Sequence, residues 1–310
     1  MQPIVSYYNN GQQQSEKWLV NDKLHRLDRP ASTEWYKNGN KKFEEWCLND
    51  KYHRIDGPAY TEWYENGNKR LEEWNLDGKL HRSDGAAHTE WYGNGKKRIE
   101  EWHLNGKLHN LDGPAWIEWS ITGKKKIEKW LVNDKYHHRI DGPAYTEWYE
   151  NGNKKLEGWF KKGKSHRLDG PAYTVWDENG QKKMEEWHLN GKLHRLDWPS
   201  NTEWYENDNK KYEEWHKYDT LHRIDGPAYT AWYSDGSKKL EEWYFNDVLH
   251  RLDGPTYTNW YANGNKKSEK YYIDGKFHRT DGPAIIQWFK NGKTKIKEWY
   301  KHDNLQYVIK

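Results

Sequence analysis

The chain has almost no cysteine. Cys47 stands alone among 310 residues, which excludes an internal disulfide framework and any cysteine-based zinc site. Phenylalanine and methionine are scarce (5 and 2), 34% of residues are hydrophobic and mean hydropathy is −1.39, so the chain cannot build one wide aliphatic core. No apolar run reaches the ~18 residues that a membrane-crossing helix needs. Met1-Gln2-Pro3-Ile4-Val5 lacks the apolar stretch of a secretion signal, so the expected location is intracellular. Excess charge of one sign is missing too: 51 basic against 48 acidic residues leave +3, little to draw a polyanion.

Aromatic residues are abundant instead, with 22 Trp and 23 Tyr. A chain this hydrophilic would read as disordered, but disordered chains are poor in aromatics. Amphipathic rings spread evenly can bury many small patches, and even spreading points to a repeat. A His-Arg-x-Asp-Gly-Pro string recurs with its histidine at His25, His53, His81, His109, His138, His166, His194, His222, His250 and His278. The step is 28 residues throughout, except for 29 where His137 precedes His138 as an insertion. One tryptophan series runs Trp35, Trp63, Trp91, Trp119, Trp148, Trp176 and onward. A second runs Trp18, Trp46, Trp74, Trp102, Trp130, Trp159, Trp187 and onward, with Tyr271 filling one gap. No composition break interrupts the pattern. The organisation expected is therefore one repeat domain over 1–310, with a partial repeat over 1–24 and a degenerate one over 284–310.

Each unit places two aromatic, β-rich runs around Asn-Gly, as at Asn66-Gly67, the pair that suits a two-residue type I′ hairpin. A second turn follows, as at Asp77-Gly78, and then Asp-Gly-Pro. Three full reversals would point neighbouring units in opposite directions, so Asp-Gly-Pro reads as a bend. The fold class expected is all-β: an elongated, solenoid-like stack of about eleven hairpins in one continuous twisted antiparallel sheet, on the order of 100 Å along the stack. The two-residue loop would set Trp63 opposite Arg70, Tyr60 opposite Glu73 and Trp74 opposite His81, and Glu73 opposite Arg82. One face would then carry a Trp/Trp/His ladder and be the packed one.

The string Trp74-x-x-Asp-Gly-Lys-Leu-His81, followed by Gly85 and Trp91-Tyr92-x-Asn-Gly, resembles the MORN repeat. The Trp, turn Gly and His of that family match Trp102, Gly106 and His109, or Trp187, Gly191 and His194. These units are longer, and Arg-x-Asp-Gly stands where the family has Gly after His. The chain looks like a variant class of the sort found in proteins of large DNA viruses and some bacteria and phages. The resemblance implies hairpin ribbons, a scaffolding or protein-contact role and, in some members, phospholipid binding. It would also fit a location in a virion or host cytoplasm.

Regular His residues raise the question of metal. Equivalent histidines on successive hairpins lie roughly 10 Å apart, too far to share an ion, so a structural role together with Arg82 and Asp84 is expected, with no metal and no cofactor. The His-Arg-x-Asp set recurs in near-equivalent places without a nucleophile at a fixed offset, which argues against an enzyme. Paired glutamates such as Glu72-Glu73 alternate across a strand and cannot act as a couple; salt bridges are their expected use. Lys pairs beside aromatics (Lys41-Lys42, Lys154-Lys155) would suit single-stranded nucleic acid, but the glutamates neutralise them. Trp/Tyr ladders also suit a glycan or choline ligand. The leading expectation is a non-catalytic structural or protein-interaction scaffold, with a protein partner or self-association. Candidate specificity positions are the departures from the repeat: Arg29, Asn110, His137, Gly158, Trp198 and Asp208.

Overall fold

The computed structural model describes residues 2–137, 139 and 141–310; His138 lies outside them. The described residues form β-strands and turns without a helix, and the chain divides into two compact units, 1–153 and 154–310. In both, each repeat gives a four-residue and a five-residue strand, such as Tyr60–Trp63 and Lys69–Glu73. Within each unit the inner strands pair antiparallel with the one before and the one after, so hairpins stack side by side.

The turns are assigned the other way round from the sequence expectation. Around Asn66-Gly67 the Tyr64 amide donates to the Asn68 carbonyl and the Gly67 amide to the Tyr64 carbonyl, each at 2.9 Å. Among these loop residues only Gly67 takes a positive φ, 86°. This is a three-residue loop ending in a glycine bulge, not a type I′ pair. It moves Trp63 opposite Lys69, with the register shift falling at Arg70, while Tyr60 still faces Glu73. The type I′ geometry belongs to the second turn, where Asp77 (52°) and Gly78 (76°) are both left-handed. That turn closes a separate small hairpin, Asn75–Leu76 against Lys79–Leu80. The repeat therefore has two hairpins. The second stays out of the main sheet and leaves the parity of the stack intact.

Small hairpins of successive repeats also bond to each other, as Gly78 amide to Tyr52 carbonyl (2.8 Å) and Arg54 amide to Asn75 carbonyl (3.1 Å). Stacking is thus stitched along two lines. At the main turns, the Tyr64 hydroxyl donates to the Trp91 carbonyl, and the Asn66 and Asn68 amides both donate to the Gly93 carbonyl, all at 2.9 Å. The Asn66 side chain also accepts from the Asn68 amide (3.0 Å), so its two ends serve its own turn and its neighbour's.

The centre of the packing is not tryptophan. Ala31, Ala59, Ala87, Ala115, Ala172, Ala228 and Ala284 are fully buried, as are Ser200 and Thr256 at the same repeat position. Ala59 donates to Glu73 (2.8 Å), and its carbonyl accepts the Trp46 amide (2.6 Å). It sits where the main sheet meets the small hairpin, and only small side chains (Ala, Ser, Thr) stand there. Both tryptophan series are half-buried, including Trp35, Trp63, Trp91, Trp148 and Trp176 of the first and Trp46, Trp74, Trp102, Trp159 and Trp187 of the second. The indoles cover the Ala/Thr stripe and do not form it. Beside them the first lysine of a Lys-Lys or Lys-Arg pair reaches the glutamate three residues on, as Lys41 to Glu44 and Lys69 to Glu72. Cys47 is buried, and that burial, helped by Glu45 and Asp50, pushes its thiol up to about 12. At Gly158, where most other repeats carry Glu, a Cβ would lie 2.8 Å from the Phe160 ring and 3.2 Å from Tyr173, so the two rings close over the position.

Candidate functional site

The site is built from the connector, His-Arg-x-Asp-Gly-Pro, on the side of each repeat away from the main turn. Its first residue is structural. The backbone amide of His81 donates to the Trp74 carbonyl (2.8 Å), as the alignment of Trp74 with His81 requires. The imidazole meets the next repeat's type I′ turn: Nδ1 of His53 lies 2.9 Å from Asp77, that of His81 3.0 Å from Asn105, and that of His109 3.1 Å from Asn133. The Asn190 amide donates to His166 at 3.1 Å, while His194 stacks on Tyr218 at 4.1 Å. His137 makes the bond to Trp130 (2.9 Å) that the connector histidine makes elsewhere, so it holds that position in its repeat. Among the described residues no group of three or more His, Cys, Asp or Glu is set to hold a metal ion.

The arginine does not face Glu73. Arg82 folds back so that its guanidinium lies 3.9 Å from the centre of the Trp74 ring, and its Nε donates to Asp84 at 2.8 Å. A Cβ on Gly85 would fall 2.8 Å from the guanidinium carbon. The flat cation lies directly against the glycine. The same sandwich recurs as Arg26 on Trp18, Arg54 on Trp46, Arg167 on Trp159, Arg223 on Trp215 and Arg251 on Trp243, all at 3.7–3.8 Å.

Where glycine is absent the new side chain turns outward. Arg29 is exposed beside Asp28 (3.9 Å), and Trp198 is 63% exposed. Asp208, in place of a turn glycine, takes φ 62° and accepts from Gln181 at 2.9 Å.

The arginines hold their aspartates below the usual carboxylate range, chiefly through the side-chain hydrogen bond, at Asp28, Asp56, Asp84, Asp141, Asp169, Asp225, Asp253 and Asp281. A folded-state pKa below the unfolded one adds stability above the unfolded value, and this is lost as pH falls through the folded value. Calorimetry from about pH 5 down through pH ~3 is therefore expected to show Tm falling as these links are protonated. A flat Tm over that range would contradict the assignment.

The remaining connector residue was missed in the sequence reading. The x of His-Arg-x-Asp is Leu or Ile in most repeats, and it points into solvent. Leu27, Ile55, Leu168, Ile224 and Leu252 are 77–83% exposed, and Leu111 and Leu196 are 61% and 65% exposed. A single exposed aliphatic residue is ordinary, but a row of them is not. Between successive connectors runs a groove, lined in one unit by Ile55, Trp74, Leu76 and Arg82 and in the other by Ile224, Trp243, Phe245 and Leu252. Exposed aspartate carboxylates flank the row. Its signal in the sequence is the repeated Leu/Ile inside a connector that is otherwise polar.

Fold and connector define an all-β tandem-hairpin repeat protein with a periodic apolar and acidic ridge. No helix among the described residues is long and apolar enough to cross a membrane. No family model matches the chain, and no curated protein does. Among solved structures it is similar to a chain in the crystal structure of TcdB2-TccC3-Cdc42 (10% identity, TM-score 0.17) and one in that of TcdB2-TccC3-TEV (11%, TM-score 0.19). Each match covers 96% of this chain, which spans 13% and 17% of the length of those two chains.

Proposed function

We propose that the chain is a non-catalytic repeat protein that acts as a scaffold, holding an extended polypeptide along its connector ridge. The exposed Leu/Ile row between exposed carboxylates is the observation that carries this reading. Repetition of one chemistry suits a multivalent contact, in which weak sites sum along a linked ligand, better than a single reacting centre. Connectors recur every two strands, roughly 10 Å. An extended or polyproline segment advances about 3.1–3.3 Å per residue, so each third residue of the partner meets a connector. The partner chemistry is therefore an aliphatic side chain every third residue, with Lys or Arg beside it for the aspartates.

The resemblance of Trp102, Gly106 and His109 to the MORN repeat, a family with scaffolding members, agrees with this reading. A glycan or choline role is supported less, because the chain's own guanidiniums already occupy the second-series indole faces. Lys–Glu pairing likewise engages the lysines beside the first tryptophan series, such as Lys41, Lys69 and Lys210, which leaves fewer of them for nucleic acid or phospholipid.

The test is fluorescence anisotropy with a labelled peptide of about five Pro-Leu-Lys units, matched to the three-residue step. It is expected to bind at least tenfold more tightly than Pro-Ser-Lys or Pro-Leu-Glu versions. The combined variant Leu168→Ser, Leu196→Ser, Ile224→Ser and Leu252→Ser should lose binding with its circular dichroism unchanged. Equal binding of the Pro-Ser-Lys peptide would reject the apolar ridge as the site.

A further inference from the structure

We infer that Trp102 carries an open seat for a guanidinium group from another molecule, and that an arginine side chain of the bound segment fills it. The chain itself shows what such a seat takes. Nine aromatic rings of the second series carry their own arginine at 3.6–4.0 Å, Tyr271 with Arg279 included. The ring below the cation is common to all of them. In most repeats an aspartate accepts from its Nε and a glycine lies beside it, with Arg29 and Trp198 in the glycine's place beside Arg26 and Arg195.

At Trp102 the arginine is replaced by Asn110, and among the described residues no cation lies over that ring. The Asn110 amide lies beside Gly113, its Nδ2 3.1 Å from where a Cβ on that glycine would stand. Its amide donates to the Pro114 carbonyl at 3.1 Å, the same acceptor type that Arg139 uses at Pro143 (3.2 Å). Its carbonyl accepts the Asp112 amide at 3.1 Å. The connector backbone is therefore kept in shape without a guanidinium. Trp102 donates to Ala115, and His109 to Trp102, both at 2.8 Å, as in every other repeat. The seat's other walls are also kept. Gly113 is still glycine, although nothing closer than Asn110 (3.1 Å) demands it. Asp112 still stands exposed two positions on, without the arginine that its counterparts bind. Leu111, 61% exposed, borders the opening on the ridge.

An aromatic face beside an exposed carboxylate selects a planar cation over a tetrahedral one. A guanidinium can stack and donate at once, whereas an ammonium is a compact, strongly hydrated charge. The inference deepens the scaffold reading and rests on it for the identity of the occupant. It also gives the near-identical repeats one distinct position, which fixes the register of a partner along an otherwise periodic ridge.

A small probe measures the seat apart from the ridge. The full chain, labelled with fluorotryptophan, would be titrated with N-acetyl-arginine methylamide, N-acetyl-lysine methylamide and choline, and followed by fluorine NMR. The Trp102 resonance is assigned by its loss in Trp102→Phe. The arginine probe is expected to shift that resonance saturably, with a Kd on the order of 10 mM. The lysine and choline probes should act at least fivefold more weakly. Asn110→Arg, which restores the common connector and so favours folding, should abolish the shift. The inference is overturned if no saturable shift appears by about 100 mM, if Asn110→Arg leaves the shift intact, or if lysine and choline match arginine. A shift from the small probe without binding of the Pro-Leu-Lys peptide would sink the ridge alone. Peptide binding without the shift would sink the seat alone.

Discussion

Replacing Trp74 by alanine is expected to lower stability by about 3 kcal/mol, the lower part of the range for a large aromatic, because the ring is half-buried. The loss goes beyond one side chain. Arg82 lies on that indole at 3.9 Å and is held to Asp84; without the ring the guanidinium has no floor, and Gly85 faces empty space. The Trp74 backbone also links three segments, donating to Ala87 and accepting from His81. Repeats lean only on their neighbours, so damage in one is expected to broaden or split the unfolding transition. Arg82→Ala leaves the indole on the Ala/Thr stripe and removes one cation–π contact with an exposed ion pair, so its expected cost is about 1 kcal/mol. Urea denaturation of the two variants checks the order. If Arg82→Ala cost as much as Trp74→Ala, the ring would be a mere platform for the cation.

The period, the all-β class and the hairpin stack were legible because turn chemistry and aromatic spacing repeat without a break. The pairing of Trp74 with His81 was legible as well, since Asp77-Gly78 is a true type I′ turn. Asn66-Gly67 misled because Asn-Gly serves two loop types. The difference lies outside the pair, in Tyr64 and Asn68, which close a longer loop and stitch it to the next repeat. Size misled about the core: tryptophan carries the most apolar area, yet the place where two backbones cross admits only Ala59 and its equivalents. The glycine of Asp-Gly-Pro was read through backbone bending, whereas in most repeats it also lies against the guanidinium of the arginine three residues before it, a fold-back that the letters do not show. Asn110 was legible only as a departure. Its meaning required knowing what Arg82 does elsewhere.

The crossing point also gives the sharpest test of the packing. Ala59→Leu is expected to cost about 3 kcal/mol, at or above the usual upper end for overpacking, and Ala172→Leu the same in the other unit. Ala59 is fully buried, and its amide and carbonyl are fixed by Glu73 and Trp46. The backbone therefore cannot retreat without breaking bonds on both sides, and an isobutyl group would have to push an indole off the stripe. Ala59→Ser should cost less than ~1 kcal/mol. The protein already carries Ser200 at this position, fully buried, with its hydroxyl 3.1 Å from the Glu214 carbonyl and 2.8 Å from His216. Thr256 is likewise accommodated and donates to the Tyr272 carbonyl at 3.1 Å. A small hydroxyl side chain is thus tolerated where a bulky apolar one is expected not to be, the reverse of an ordinary hydrophobic core. Thermal unfolding of the two Ala59 variants decides it: leucine tolerated and serine damaging would mean that the stripe is held by hydrophobic burial and not by the spacing of two hydrogen-bonded backbones.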